Sequence, residues 1–177
     1  MKLEHKLFEL KDFAVQMAKL RNEKHFDFLV TIVGEDFGEE GLGCVYILEN
    51  TKNYERISVK VVNPDRENAY IPTVSHLWKA ADFLEREVFD FYGIKFLGHK
   101  DMRRLYLRSD FKGYPFRKDY DMSPENNTYT LEDDPETDYT VEFNIDENGK
   151  IKETYHKLFT DDDYVINIGP QHPATHG

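Results

Sequence analysis

Apolar residues recur along this chain first with a helical and then with a strand-like spacing. In residues 2–22 they recur every three or four positions, which predicts an amphipathic helix. Residues 26–33 alternate, and residues 44–48 and 54–62 are rich in apolar and β-branched side chains, so each segment predicts a strand. The short connections between them favour an antiparallel meander. The predicted helical stripe consists of Leu3, Leu7, Leu10, Ala14, Met17 and Arg21, and the predicted strand face of Phe26, Phe28, Val30 and Ile32.

A second helix is predicted after a polar connector that ends at Pro72. Thr73 or Ser75 is placed to cap its start, and Gly93 is placed to end it in the left-handed conformation. These elements predict an α+β fold, a two-layer domain with a mainly antiparallel sheet of at least three strands and two main helices. Residues 105–107 fit a short strand, but their periodicity does not decide it. The predicted buried stripe of the second helix is Leu77, Ala80, Ala81, Leu84, Val88 and Phe91.

Charge divides the chain near residue 119. The net charge is −11, yet residues 95–118 contain eight Lys/Arg against two Asp, whereas residues 119–163 contain fifteen Asp/Glu against three Lys. This change predicts a domain over residues 1–120, followed by an extended acidic C-terminal arm over residues 121–163. Within the arm, residues 139–145 and 151–159 flank the turn sequence DENGK and predict a hairpin that is suited to pair with a partner's sheet.

Composition limits the chemistry that this sequence can carry. No apolar run approaches the ~18 residues that a membrane span needs, so no direct membrane insertion is predicted. Cys44 is the only cysteine, which excludes an internal disulfide and an iron–sulfur cluster with the usual cysteine ligands. Its strand-like, apolar neighbours predict that Cys44 packs in the core.

The segment from residue 85 to residue 120 contains most of the candidate chemistry. Glu85 and Glu87 are two positions apart and point to different faces of the helix, and the segment has no second histidine, which argues against an independent active or metal site. Basic residues interleaved with aromatics permit nucleic-acid binding, but the acidic flank would repel a polyanion. On the residues alone, these charges also fit a solvated helix end. The candidate acid/base or metal groups are Glu85, Glu87, Asp90, His99 and Asp101.

The order of residues in this segment resembles that of a known family. The tripeptide ERE is followed after two residues by Asp90, and the runs GHKDMRR and GYPFRKDY are similar to GHPDLRR and GHPLRKDY of the 30 kDa (C-type) subunit family of respiratory complex I. Two positions depart from the family: Lys100 stands where proline is usual, and Tyr114 where histidine is usual. The matching signature positions are Glu85, Arg86, Glu87, Asp90, Gly98, His99, Asp101, Arg103, Arg104, Gly113, Arg117, Lys118 and Asp119.

The resemblance implies a structural subunit. It implies no catalytic residue and no cofactor in this chain, whereas the complex as a whole implies FMN, iron–sulfur clusters, NADH and quinone. The implied partners are other peripheral-arm subunits, above all the 49 kDa (D-type) subunit, on the cytoplasmic side of the inner (cell) membrane, and no nucleic acid. We expect Glu85, Arg86 and Asp90 to lock the helix end to the following loop. We expect the interface to be formed by Arg103, Arg104, Arg117 and Lys118, with Tyr114 and Phe116 as apolar anchors.

The end of the sequence resembles a second family. Residues 165–177 read VINIGPQHPATHG, which is similar to the opening motif of the 49 kDa (D-type) subunit of complex I. The resemblance implies that His176, with His172 as second choice, faces the quinone headgroup, and that residues 164–177 begin a D-type domain in a fused C/D chain. Histidine suits this role because it exchanges a proton near neutral pH. Pro173 lies between the two histidines and disfavours a helical zinc site, so no metal is predicted.

Two other classes of protein stay open at this point. One is the N-terminal domain of a related membrane-bound hydrogenase large subunit, whose nickel would be bound by cysteine pairs further along the chain. The other is a free-standing module that binds an anion or nucleic acid. The complete THG ending favours complex I. The isolated sequence is predicted to be inactive, because it encodes no electron carrier.

Overall fold

A four-stranded sheet carries the fold. The computed structural model describes residues 5–123 and 139–158. The strand order is β1-β4-β3-β2, with β2, β3 and β4 antiparallel and β1 parallel to β4, so the predicted meander is confirmed. The elements of this sheet are β1 (His5–Leu7), β2 (Phe28–Asp36), β3 (Leu42–Asn50) and β4 (Glu55–Asn63), with a 3₁₀ turn at Gly38–Glu40.

Two helices cover one face of the sheet. They are α1 (Phe13–Asn22) and α2 (Ala81–Tyr92). The Phe13 ring lies 5.1 Å from the Tyr46 ring of β3, and α2 packs against β2. Cys44 is completely buried in this layer, as predicted. The predicted two-layer α+β fold is therefore confirmed.

The first predicted helix is wrong in its first half. Residues 5–7 form β1, which pairs with β4 in the register His5↔Ser58, and the His5 Nδ1 atom lies 2.7 Å from the Ser58 hydroxyl. Leu7 is 70% exposed, and α1 begins only at Phe13. The free edge of β4 supplies backbone partners that a helical spacing does not reveal. The buried stripe of α1 is Phe13, Met17 and Leu20.

The strand phase predicted for β2 is also partly wrong. A bulge between Leu29 and Thr31 shifts the register with β3. A bulge adds one residue and reverses the side on which later side chains point. As a result Leu29 and Ile32 are both buried, whereas Phe28 is 50% exposed.

Two further pairs of strands extend the domain. The strands β5 (Tyr70–Pro72) and β6 (Lys95–Leu97) are parallel, and β7 (Tyr139–Ile145) and β8 (Ile151–Lys157) form the predicted hairpin. The edge of β7 is used within this chain. The backbone N–H of Gly98 donates to the Phe143 carbonyl at 3.1 Å, and that of Met102 donates to the Val141 carbonyl at 2.6 Å. Phe143 is buried in the core, so the hairpin is anchored to the turn that follows β6.

The two ends of α2 differ in how well the sequence predicts them. Gly93 ends the helix in the left-handed conformation with φ +70°, and its N–H donates to the Phe89 carbonyl at 2.8 Å, as predicted. The predicted N-cap is wrong, because α2 begins at Ala81 without a side-chain cap. Thr73 instead faces the interior and donates its hydroxyl to Glu85 at 2.5 Å.

We expect Gly93→Ala to destabilise the domain by about 3 kcal/mol, against about 1 kcal/mol for Gly38→Ala. Both glycines have similar positive φ values, +70° and +68°. A Cβ atom at Gly93 would lie 2.4 Å from the Tyr114 ring, whereas one at Gly38 would meet nothing within 4 Å. The control therefore isolates the backbone strain from the collision with the ring. Urea unfolding measures both losses, and equal losses would show that Tyr114 moves aside freely.

Candidate functional site

Asp90 holds the loop of residues 94–120 against α2. Its carboxylate is fully buried, and its Oδ2 atom accepts three successive backbone N–H groups. Its Oδ1 atom accepts from the Arg104 guanidinium at 3.0 Å. The loop therefore bends around one carboxylate, and residues 105–107 form no strand. The three donors are Leu105 at 3.1 Å, Tyr106 at 2.7 Å and Leu107 at 2.9 Å.

Arg104 connects Asp90 to the next turn of the loop. Its Nη2 atom donates to the carbonyls of Phe111 at 3.1 Å and Gly113 at 2.9 Å. The guanidinium also lies 5.1 Å from the centre of the Tyr114 ring, a cation–π distance. Only 14% of the Arg104 side chain is exposed, so most of its hydrogen-bonding capacity is used inside this chain.

Arg86 binds the backbone of the same loop. Its guanidinium donates to the Arg103 carbonyl at 3.0 Å and to the Arg104 carbonyl at 3.2 Å. The nearest carboxylate to Arg86 is that of Asp101 at 3.8 Å, while Asp90 binds Arg104. Arg86 and Asp90 therefore make separate contacts, and both tie α2 to the loop.

Glu85 is a buried acid with one hydrogen-bond partner on each carboxyl oxygen. It is 0% exposed, and it accepts from the Thr73 hydroxyl at 2.5 Å and from the Val74 N–H at 2.7 Å. Burial raises the pKa of Glu85 to about 8, although these two hydrogen bonds act in the opposite direction. Glu85 therefore carries a proton at neutral pH. The buried face of α2 is more polar than its predicted apolar stripe, since Asp90 lies there as well.

His99 anchors the turn between β6 and the loop. Its Nε2 atom lies 2.9 Å from an Asp82 carboxylate oxygen and 3.1 Å from the Asp82 carbonyl. Its Nδ1 atom accepts from the Asp101 N–H at 3.1 Å, which assigns the ring proton to Nε2. Burial lowers the pKa of His99 and so favours the neutral ring. The Glu85 carboxyl is 3.9 Å away from the ring.

The end of the loop is fastened to the sheet through Asp36. The Arg66 guanidinium donates a bidentate pair of hydrogen bonds to Asp36 at 2.6 and 2.9 Å, and it also donates to Asp119 at 3.1 Å. The Lys118 N–H donates to Asp36 at 2.8 Å. The Arg66 hydrogen bonds hold the pKa of Asp36 well below its usual range. Neither Asp36 nor Arg66 is predicted from the sequence, because partners 30 residues apart leave no spacing signal.

The remaining signature residues support the same arrangement. Arg117 donates to the Tyr92 carbonyl at 2.6 Å, and its guanidinium lies 4.7 Å from the Tyr114 ring. The Tyr114 ring thus lies beside two guanidinium groups. A histidine at this position would offer them a smaller ring. Asp101 binds Arg103 at 2.8 Å. Gly98 and Gly113 have positive φ values of +78° and +83°, and Glu87 is half-buried.

The described residues contain no cluster of three or more His, Cys, Asp or Glu that could hold a metal ion. His172 and His176 lie outside the described residues. Among residues 5–123 and 139–158, no helix is both long and apolar enough to cross a membrane. The described residues instead form a network of ionic side chains, which fixes the loop of residues 94–120 on α2 and on the sheet.

Sequence comparison gives the family of this fold. Residues 8–126 match the profile of the respiratory-chain NADH dehydrogenase 30 kDa subunit. The chain belongs to this family. It is 51% identical over 162 residues to the C/D subunit of NADH-quinone oxidoreductase from Phocaeicola vulgatus, with 92% of this chain and 31% of that protein covered. It is also 51% identical over 172 residues to the C/D subunit from Bacteroides thetaiotaomicron, with 92% of this chain and 32% of that protein covered.

A shorter relative matches along most of its own length. It is the C subunit of NADH-quinone oxidoreductase from Moorella thermoacetica, which is 39% identical over 110 residues, with 62% of this chain and 74% of that protein covered. The chain spans about a third of the length of its C/D relatives. This 30 kDa-family chain is therefore a C-type family member of the kind that is fused to a D-type portion.

The fold also occurs in an archaeal respiratory membrane complex. A chain of the membrane-bound sulfane sulfur reductase, an archaeal respiratory membrane complex, superposes with a TM-score of 0.59 at 25% identity. The match covers 77% of this chain and 88% of that chain. The 30 kDa-family domain is thus similar to a domain in a complex of different electron chemistry.

Proposed function

We propose that this chain is a non-catalytic structural and assembly unit of the peripheral arm of a proton-pumping NADH:quinone oxidoreductase. The observation that carries the proposal is the use of the signature side chains. Asp90, Arg104 and Arg86 bind the loop of residues 94–120 of this same chain. By fixing the loop, these side chains form a rigid surface. A subunit of a larger complex, which is what this family implies, needs such a surface to bind its neighbours.

The chemistry of these groups favours a scaffold over a catalyst. A carboxylate that accepts four hydrogen bonds, as Asp90 does, has little capacity left to accept a substrate proton. A loop that is ordered before binding loses little conformational entropy when a partner docks. The charged network therefore supports assembly, whereas a general acid or base would need an accessible and mobile proton.

The proposed partners follow from the C/D relatives. The principal partner is the D-type portion of the same polypeptide, with other peripheral-arm subunits on the cytoplasmic side of the membrane. In this proposal residues 1–120 are the C-type domain and residues 121–163 the acidic arm, whose hairpin of β7 and β8 packs on that domain. Residues 164–177 are the start of the D-type domain. NADH, FMN, iron–sulfur clusters and quinone are bound by other parts of the complex.

The residue proposed to approach the chemistry is His176, with His172 as second choice. The support is the motif GPQHPATHG and the C/D organisation of the relatives. A neutral imidazole offers one donor and one acceptor, so it can bind a quinone oxygen and supply a proton as the quinone is reduced. Two variants of the full-length C/D chain separate this role from the scaffold role.

We expect Asp90→Ala in the full-length C/D chain to reduce the amount of assembled arm in membranes, with NADH:quinone reductase activity falling in the same proportion. We expect His176→Ala to leave the assembled amount unchanged and to reduce quinone reduction per assembled complex by about 10²-fold, the usual effect of losing a proton donor. Native electrophoresis measures assembly, and an artificial electron acceptor that bypasses quinone measures NADH oxidation in the same membranes.

The control is Asp110→Ala, which removes an exposed carboxylate from the same loop. It should leave both assembly and activity unchanged. Full assembly with Asp90→Ala would contradict the scaffold function, and normal quinone reduction with His176→Ala would contradict the quinone assignment. The purified 177-residue chain should oxidise no NADH.

A second candidate is an equivalent unit in a related membrane complex, such as a membrane-bound hydrogenase. The fold similarity to the sulfane sulfur reductase chain supports it. The two candidates differ in what the D-type portion contains: pairs of cysteines that would bind nickel in the hydrogenase, and none in the NADH:quinone oxidoreductase. The sequence of that portion decides between them.

A further inference from the structure

Three aromatic rings form a stack on the surface beside the C-terminal end of α2. Phe91 lies between Tyr106 and Phe116, with ring centres 5.8 and 4.4 Å apart and interplanar angles of 19° and 12°. Tyr92 meets Phe116 edge-on at 5.8 Å. We call Tyr106, Phe91 and Phe116 the aromatic stack.

The backbone holds the aromatic stack in place. The Tyr106 N–H donates to the buried Asp90 carboxylate at 2.7 Å, and the Phe116 N–H donates to the Phe91 carbonyl at 3.1 Å. Arg117 follows directly and is fixed to the Tyr92 carbonyl. The two outer rings are therefore presented on a rigid frame, and rigid aromatic side chains lose little entropy on binding.

The outer rings are nevertheless open to water. Tyr106 is 65% exposed and Phe116 is 56% exposed. Aromatic residues held in fixed positions on a surface are typical centres of protein–protein interfaces. The signature network of Asp90, Arg104 and Arg117 thus has a consequence at the surface, because it keeps these rings outside rather than folded into the core.

Two exposed lysines flank Phe116 in the sequence. Lys112 and Lys118 are exposed, and within the described part of the chain neither ammonium group has an ion-pair partner. Residues 95–118 as a whole contain eight basic residues against two Asp. The surface therefore fits a partner patch with an apolar centre and an acidic rim.

We propose that the aromatic stack is the central contact of this chain with the D-type portion of the oxidoreductase, and that the docking patch there is apolar and rimmed by Asp and Glu. This inference rests on the proposed function. The choice of occupant follows from the C/D relatives, in which both portions belong to one polypeptide. A tethered partner has a high effective concentration, so a contact of modest area suffices to keep the two portions together.

The test uses the full-length C/D chain in assembled membranes. The photo-reactive residue p-benzoylphenylalanine is introduced separately at positions 106, 116 and 54, and cross-linked peptides are identified by mass spectrometry. Tyr54 is the matched control, an aromatic that is 79% exposed at the turn before β4. Because each replacement keeps an aromatic ring at an exposed position, the fold is retained.

We expect positions 106 and 116 to give about ten times more cross-linked product with the D-type portion than position 54 gives. We also expect Lys112→Glu with Lys118→Glu to lower that yield, and more strongly at low ionic strength than at high. Equal yields at positions 106 and 54 would overturn the inference, and so would products with another protein of the complex or with a second copy of this chain.

These outcomes are separable from failure of the proposed function. The scaffold function is judged by the assembled amount with Asp90→Ala, whichever peptide the aromatic stack cross-links. If assembly depends on Asp90 but the aromatic stack contacts another protein of the complex, only the assignment of this surface fails. If Asp90→Ala leaves the assembled amount unchanged, the scaffold function fails even where the cross-links form.

Discussion

Asp90→Ala is expected to lower the free energy of unfolding by about 3–5 kcal/mol, a large part of the stability of a domain of this size. The substitution leaves the Arg104 guanidinium, only 14% exposed, without its carboxylate. It also leaves three backbone N–H groups without an acceptor, and each such group costs about 1–3 kcal/mol if it stays buried. Partial opening of the loop lets water reach these groups, which keeps the total below their sum.

Urea unfolding followed by circular dichroism measures this effect. Asp110→Ala is the matched control, since Asp110 is an aspartate of the same loop whose ion pair with Arg108 is one-third exposed. Exposed ion pairs contribute little to stability, so the control should shift the unfolding midpoint little. Similar losses for Asp90→Ala and Asp110→Ala would mean that the loop is not held by Asp90.

A double-mutant cycle tests whether Asp90 and Arg104 act together. Arg104→Met removes the charge but keeps much of the apolar stem, so it isolates the ionic contact better than alanine. The combined variant should lose clearly less than the sum of the two single losses, because Asp90→Ala already leaves Arg104 unpaired. Strict additivity would contradict the direct pairing seen at 3.0 Å.

Glu85→Gln is expected to change how the stability of the domain depends on pH. Glu85 releases its proton at about pH 8 when folded and near the ordinary value of 4.5 when unfolded. Between these values the native state binds one more proton than the unfolded state, so this group lowers the stability as pH rises, by up to about 1.4 kcal/mol per pH unit. The loss begins near the unfolded pKa and is complete above the folded pKa.

Glutamine reproduces the protonated acid at this site. Its carbonyl oxygen can accept from the Val74 N–H, and its amide can donate to the Thr73 hydroxyl. The variant should therefore match the native protein near pH 5 and exceed it in stability by several kcal/mol near pH 8. The measurement is the difference between the two free energies of unfolding across that range, in which titrations of other groups cancel.

Glu55→Gln provides the control for loss of one carboxylate at an exposed position. It should give a difference from the native protein that changes little from pH 5 to pH 8. A flat difference for Glu85→Gln as well would show that Glu85 is ionised in the folded state, and would require water or a cation beside it.

Much of the fold was predictable because local periodicity reports which face of an element is buried. The three antiparallel strands, the second helix and its left-handed end at Gly93 follow from alternation, helical spacing and a glycine. The prediction was wrong for residues 5–7, where the free edge of β4 overrides the helical spacing. It was also wrong in the phase of β2, since the bulge after Leu29 leaves no mark in the pattern.

The candidate site shows the same division. The spacing of ERE, Asp90, His99 and Arg103 along the chain is a property of the sequence alone, and it identifies the family. The sequence also predicted that Glu85, Arg86 and Asp90 lock the helix end to the following loop. Arg86 and Asp90 contact that loop, whereas Glu85 binds Thr73 and Val74, which precede the helix. It did not show which groups they bind, because those groups lie in segments that fold back onto the helix.

The sequence by itself determined the order of elements, the charge division near residue 119 and the family signature. Only the tertiary structure decided which charges meet, because pairs such as Asp90–Arg104 and Asp36–Arg66 are brought together by the return of the loop over α2 and the sheet. Only the tertiary structure decided that the rings of Tyr106 and Phe116 are exposed to solvent. A periodic pattern reports burial within one element, whereas these contacts depend on how separate elements pack.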